Sequence, residues 1–259
     1  MFKFFYIILL AGLFIIISCS ESTAPDPLFE YKQDVNGSLQ VDVNINKITL
    51  ENSIGYIFLN GSSDSLNASY VLNKTVKVKE SSLAQAEFDK ILFNYSTNSD
   101  SINCNINSPS VVFDNYKCSL NINIPTGKDI FVKKNNFGVQ TYQLENNLHI
   151  ETAKGECVVE GHGGSVEAIT QSGNIDVMVL IPDSGYCKSY SVDGNITVQV
   201  PIGSSGSIVI KTTNGTVSFS NLNIHNLVQT SKQITGTIGT GSGTIYLESV
   251  NGNVLLKGF

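Results

Sequence analysis

From Gly155 onward the chain repeats one phrase: a glycine, then apolar residues two and four positions later. Gly173-Asn-Ile-Asp-Val, Gly194-Asn-Ile-Thr-Val and Gly215-Thr-Val-Ser-Phe are three of its copies. Between Gly164 and Gly215 the glycines are spaced by 9, 12, 9, 12 and 9 residues. Gly164, Gly185 and Gly206 therefore form one series with a 21-residue step, and Gly173, Gly194 and Gly215 form a second. A fixed period of this size marks a repeat architecture, in which each unit buries its apolar face only against its neighbours.

Strand side chains alternate in direction, so the residues at two and four after each glycine share a face. That face reads Val166, Ile175, Cys187, Ile196, Ile208, Val217, Ile245 and Val254, then Ala168, Val177, Ser189, Val198, Ile210, Phe219, Leu247 and Leu256. The opposite positions are mostly Asn, Thr, Ser, Asp, Lys and Glu. Gly164, Gly173, Gly185, Gly194, Gly206, Gly215, Gly243 and Gly252 read as the turn glycines, with pairs such as Asp193-Gly194 and Asn214-Gly215 supplying positive φ. The expectation is an all-β chain, a β-solenoid of short strands with coils of 21 residues. An antiparallel meander folded into a sandwich uses similar turns, but it has no reason to keep the 9/12 alternation.

Before the repeat, the same phrase recurs at Gly37 and Gly55, and strict alternation marks strands at Ile102–Ile106 and Tyr116–Ile124. Val41, Val43 and Ile45 continue the inward set, as do Val76 and Val78. One short helix is expected near 82–92, where Ser82 and Gln85 have capping-box spacing and Ala84, Phe88 and Ile91 share a face. Gln140 breaks the phrase after Gly138, and residues 222–241 interrupt the repeat. That insertion is either a plain connector or a functional loop.

The first 18 residues stand apart. Lys3 precedes an apolar run from Phe4 to Ile17, the length of a signal h-region and short of the roughly 20 residues of a spanning helix. The run ends in Ile16-Ile17-Ser18-Cys19, which resembles the bacterial lipobox. The resemblance implies a lipoprotein signal peptide over 1–18, cleavage before Cys19, lipid attachment at Cys19 and a membrane partner through that lipid. Residues 19–34 then read as a tether and 35–259 as a single β-solenoid domain. Ser20 points to the outer membrane of a bacterial cell envelope.

All 16 basic residues are Lys, Trp is absent and the net charge is −6. Nucleic-acid binding asks for a basic patch with Arg, so it is excluded as a class. Missing Trp and Arg weaken a carbohydrate cleft, although ten Tyr remain.

Gly173-Asn-Ile-Asp-Val, Gly194-Asn-Ile-Thr-Val and the closing run from Gly236 to Leu256 resemble a bacterial family of candidate adhesins, exported β-solenoid domains of unknown function. Asn52-x-Ile54-Gly-Tyr-Ile-Phe-Leu, the helix and Leu120-x-Ile-x-Ile-Pro-x-Gly127 resemble it in the same order. What the resemblance implies is a fold and an envelope location; it carries no catalytic residues.

Little else in the chain points to chemistry. Cys104, Cys118, Cys157 and Cys187 occupy apolar slots, either as buried thiols or bonded, with Cys104–Cys118 the first choice for a disulfide. No Cys-x-x-Cys pair suggests a metal, and no cofactor is expected. His149 and His225 are isolated, and His162 lies between two glycines in what reads as a solvated turn. Glu167 and Asp176 are the one carboxylate pair that neighbouring strands would bring together for glycan chemistry. The reading is a lipid-anchored, non-catalytic envelope module, structural, adhesive or binding, whose partner is an envelope protein or surface polymer. An envelope signalling partner acting through the helix or the 222–241 insertion, or a glycan-active enzyme, is the alternative.

Overall fold

The computed structural model describes residues 27–52, 55–109 and 115–259. The leader, Cys19 and the first part of the tether lie outside the described residues, as does Ile54 of the early phrase. The chain begins with β1 (Phe29–Gln40), β2 (Lys47–Asn52), β3 (Gly55–Ser62) and β4 (Asn67–Val78). Helix α1 (Ser81–Phe88) leads to β5 (Leu92–Thr97), β6 (Ser101–Asn107) and β7 (Tyr116–Pro125). The regular part alternates β8 (Asp129–Asn135), β9 (Val139–Tyr142), β10 (Leu148–Lys154), β11 (Cys157–His162), β12 (Val166–Ser172) and β13 (Ile175–Val179). It continues through β14 (Tyr186–Asp193), β15 (Ile196–Val200), β16 (Gly206–Thr212) and β17 (Val217–Ser220). A hairpin of β18 (His225–Gln229) and β19 (Gln233–Ile238) precedes the last coil, β20 (Gly243–Asn251) and β21 (Val254–Gly258).

Each coil gives one strand to each of two sheets. The front sheet runs β1-β4-β7-β3-β9-β11-β13-β15-β21-β17, and the back sheet β18-β19-β16-β20-β14-β12-β10-β8-β2-β6-β5. Coil strands pair in parallel, as a β-solenoid requires, while antiparallel strands close the ends. The stacking order differs from the chain order. Counted along the chain, the eight coils stack as second, first, third, fourth, fifth, sixth, eighth, seventh. The last coil is wedged between β14/β15 and β16/β17, and the first between β8/β9 and β6/β7.

The inner faces form columns. Val217, Val254, Ile196, Ile175, Cys157, Val139 and Ile57 stack one per rung in the front sheet. Ile208, Ile245, Cys187, Val166, Leu148, Ile130, Ile48 and Ile102 do so in the back sheet. All of these are buried, at roughly 1.5–3 kcal/mol for each large aliphatic side chain. Ile196 is not next to Val217, because Val254 of the inserted coil stands between them. The coil that the Gln140 irregularity obscures keeps the columns by shifting the phrase one residue, so that Val139 and Thr141 face in.

A second ladder runs inside one corner. Three residues before Gly155, Gly173, Gly194, Gly215 and Gly252 the chain places Thr152, Thr170, Ser191, Thr212 and Ser249, all buried. Ser191 donates to the carbonyl of Gly173 (3.1 Å), Ser249 to Gly194 (2.7 Å) and Thr212 to Gly252 (2.7 Å). Outside the corner, Asn195, Asn253 and Thr216 each donate a backbone N–H, at 2.9 Å, to the Asn side-chain oxygen one rung away. The expected reason for the glycines is corrected here: positive φ occurs at Gly155 and Gly173, but not at Gly194, Gly215 or Gly252. Those three are glycines because a Cβ would stand 1.9–2.0 Å from the carbonyl oxygen of the adjoining rung.

Helix α1 is shorter than expected and has no capping box; Glu80 is its N-cap, without a side-chain bond. Ala84, Phe88 and Ile91 are buried, and Lys74 of β4 donates to the carbonyl of Phe88 at 3.0 Å. The helix thus lies against the capping strands at one end of the stack. Val43 is exposed, contrary to the inward set, because residues 41–46 form the link between β1 and β2. The 222–241 insertion is the cap at the other end: β19 pairs antiparallel with β16 and buries Ile234 and Ile238. β1 starts at Phe29, within the stretch read as tether. Among the described residues no helix is long and apolar enough to cross a membrane.

Candidate functional site

The two outer faces differ in chemistry, because alternate members of the repeat go to different sheets. On the back sheet the outward side chains engage one another. His149 meets Glu167 at 2.9 Å and Lys211 meets Glu248 at 3.4 Å, with the Tyr246 hydroxyl donating to Glu248. Lys47 covers the ring of Phe131 at 4.6 Å, Lys188 that of Tyr186 at 4.8 Å and Lys211 that of Tyr246 at 4.8 Å. Such contacts contribute about 0.5–1 kcal/mol each at a surface. Groups so engaged are already satisfied; at the β5 edge the same sheet carries a depression of about 400 Å³ lined by Glu51, Tyr95 and Asn103 among others.

The front sheet presents a longer groove along its middle strands. A depression of about 360 Å³ is lined by Tyr142, Gln143, Glu160, Asp176, Met178 and Gln199 among others. It shares Val158 and Asp176 with a second of about 310 Å³, which reaches Glu156, Asn195 and Thr197. A third of about 560 Å³ adjoins at Tyr56, Phe137 and Lys154. Tyr56 leans on Phe137 (6.0 Å between centroids) and Phe58 (6.4 Å), and both Tyr56 and Tyr142 leave about half their surface in solvent (51% and 47%). Among the described residues no ion pair engages Glu156, Glu160 or Asp176.

A bulge shapes this groove. The pairing of β11 with β13 shifts between Val159 and His162, and Gly161 takes φ +63°, a left-handed conformation that suits glycine. Glu160 faces the groove by plain alternation, beside Tyr142, and the extra residue at Gly161 turns His162 inward. His162 is therefore fully buried rather than solvated in a turn, with Nε2 3.0 Å from the carbonyl oxygen of Asn146. Burial holds its pKa below the ordinary 6.5, against smaller opposing contributions from the Asn146 and Ser165 backbone and from Glu145.

The other expected site residues fall as follows. Glu167 on β12 and Asp176 on β13 belong to opposite sheets and face outward from opposite sides of the solenoid, so the named carboxylate pair does not form. Alternation along one coil makes consecutive strands opposite rather than neighbouring. Cys104 on β6 and Cys118 on β7 likewise stand in opposite sheets, and all four cysteines are buried thiols. Burial pushes Cys104, Cys118 and Cys187 up to about 12 and Cys157 to about 11. His149 has the partner Glu167, and His225 is exposed on β18. Among the described residues no group of three His, Cys, Asp or Glu side chains could hold a metal ion. Sequence reasoning missed the groove residues Tyr56, Tyr142 and Glu160. Sorting the two interleaved glycine series into separate sheets would have exposed part of it.

The Toastrack DUF4097 family model matches residues 42–257. The chain belongs to the Toastrack DUF4097 family. Toastrack domains are β-solenoid-like, as the stacked coils described above are. No curated protein matches the chain. Among solved structures, this Toastrack chain is similar to a candidate cell adhesion protein from Clostridium sporogenes, at 14% identity and TM-score 0.44, covering 88% of this chain and 100% of that one. It is also similar to a candidate adhesin from Bacteroides fragilis (12%, TM-score 0.31, 88% and 97%) and one from Parabacteroides distasonis (13%, 0.33, 87% and 97%).

Proposed function

We propose that this chain is a non-catalytic binding module of the bacterial cell envelope, held to a membrane by lipid on Cys19 and presenting the front-sheet groove. The observation that carries this reading is the contrast between the faces. Along the back sheet His149, Glu167, Lys211 and Glu248 engage one another and its depression sits at the β5 edge, while the middle of the front sheet leaves half-exposed Tyr142 and three carboxylates without ion pairs around two joined depressions. Ligand sites combine apolar or aromatic surface with a few placed polar groups, and the groove has that composition. The lipid anchor rests on the Ile16-Ile17-Ser18-Cys19 run, and a multiply acylated cysteine holds stably where a single chain does not.

Two measurements test the reading. Mass spectrometry of the membrane fraction should find an acylated N-terminal Cys19, and Cys19→Ala should release the protein from the membrane. Crosslinking in the native envelope should capture a partner or polymer through the groove, and capture that survives Tyr142→Ala would count against it. An envelope-signalling role through the 222–241 insertion has a specific surface of its own, the uncovered edge of β18 with Leu227 and Val228 exposed. Since β19 is part of the core, that role is tested by Leu227→Lys or Val228→Lys rather than by deletion.

A further inference from the structure

We infer that the front-sheet groove takes an uncharged polysaccharide chain, laid along the solenoid axis and so across the strands. This deepens the binding reading above and rests on it. The geometry is that of a repeated ligand on a repeated surface. Outward residues recur once per rung, at the roughly 4.7–4.9 Å spacing of paired strands, close to the length of one sugar ring. One row runs Gln140, Val158, Asp176, Thr197, and the next begins Tyr142, Glu160 and continues through Met178 and Gln199.

The side chains in these rows match sugar chemistry. The rings of Tyr56 and Tyr142 offer flat apolar faces with a polar tip, suited to the C–H face of a pyranose. Gln140, Gln143, Gln199 and Thr197 carry both donors and acceptors, as sugar hydroxyls do. Glu156, Glu160 and Asp176 only accept, and a hydroxyl donating to a carboxylate makes a charge-assisted bond.

The same carboxylates choose between glycans. With no ion pair to neutralise them, they repel an anionic chain, and like-charge juxtaposition is costly at a binding surface. Lys154 stands at the Tyr56 end and Lys257, the neighbour of Gln199 on β21, at the other, so the three carboxylates hold the stretch between. A peptide strand would add to a sheet edge rather than lie on this face, and an acyl chain would need an enclosed apolar cavity, which these open depressions are not.

The test uses full-length protein in detergent and calorimetric titration with linear oligomers: β-1,4-linked N-acetylglucosamine and β-1,4-linked glucose as neutral probes, polygalacturonate as the acidic one. A neutral oligomer should bind and polygalacturonate should not. Tyr142→Ala should weaken neutral binding at least tenfold without lowering the melting temperature, while Tyr190→Ala on the back sheet should leave it unchanged. Glu160→Gln with Asp176→Asn should admit the acidic probe. Acidic binding equal to or tighter than neutral binding in the unmodified protein, or neutral binding indifferent to Tyr142→Ala, overturns the inference. Envelope capture that depends on Tyr142 with no oligomer bound would overturn the glycan inference and leave the binding module standing. No capture and no oligomer binding would remove both.

Discussion

Gly194→Ala should destabilise the protein by about 2–4 kcal/mol, and the figure follows from one close approach. A Cβ on Gly194 would stand 1.9 Å from the carbonyl oxygen of Gly173 and 2.5 Å from its carbon, where real Cβ contacts do not fall below 3.0 Å. The oxygen is backbone and cannot swing away, so the two rungs must part by more than an ångström. Around this point Ile175 donates to Asn195 and Ile196 to Asn253, both at 2.9 Å, and Ser191 donates to the same Gly173 oxygen at 3.1 Å. Overpacking costs about 1–3 kcal/mol, and each hydrogen bond weakened adds about 1 kcal/mol. Gly203→Ala is the control, since a Cβ there meets nothing within 4 Å; it should change stability by no more than about 0.5–1 kcal/mol, if anything upward. Urea denaturation of both variants gives the comparison, read as a shift in midpoint at constant slope. A Gly194→Ala variant within about 0.5 kcal/mol of the parent would show that rung contact is not what the glycine column is for.

His162 gives a pH dependence. Its pKa is depressed in the folded protein, so the unfolded chain binds the proton more readily; its contribution is complete above the ordinary value of 6.5 and is lost as pH falls below it. Unfolding midpoints measured from pH 7.5 downward should decline through that range, and His162→Gln should flatten the slope whatever it does to the level. In a Cys19→Ala background, Cys104, Cys118, Cys157 and Cys187 should resist an aromatic disulfide reagent near pH 8 in the native state and react fully in denaturant, since burial raises all of them well above that pH; rapid native labelling would contradict their burial. Ile196→Ala should cost about 2–5 kcal/mol by leaving a cavity between Ile175 and Val254, measured by the same urea titration.

The solenoid was legible because its cause is local. Ile175, Ile196 and Val217 recur at one step, and stacking equal coils turns that step directly into a column of buried apolar side chains. The corner hydroxyls were equally visible in principle, since Ser or Thr recurs three residues before Gly155, Gly173, Gly194, Gly215 and Gly252. What the period could not carry was spatial order. Nothing local in Val254 says that it stands between Ile196 and Val217, because parallel rungs of similar shape are interchangeable neighbours. His162 was misread for a related reason: alternation predicts its direction only until the bulge at Gly161 adds a residue. The groove escaped because its members come from β3, β9, β11, β13 and β15, and only the stacking order makes them adjacent.

In most solenoids shortening the chain peels away a terminal turn and leaves the rest whole. Here the final seventeen residues, 243–259, are a keystone, gripped on both sides by turns synthesised earlier. A polypeptide that emerges N-terminus first must therefore hold the β16/β17 turn and its cap apart from β14/β15 until residues 243–259 arrive to close the gap. Premature termination would leave a breach in the wall rather than a shorter wall.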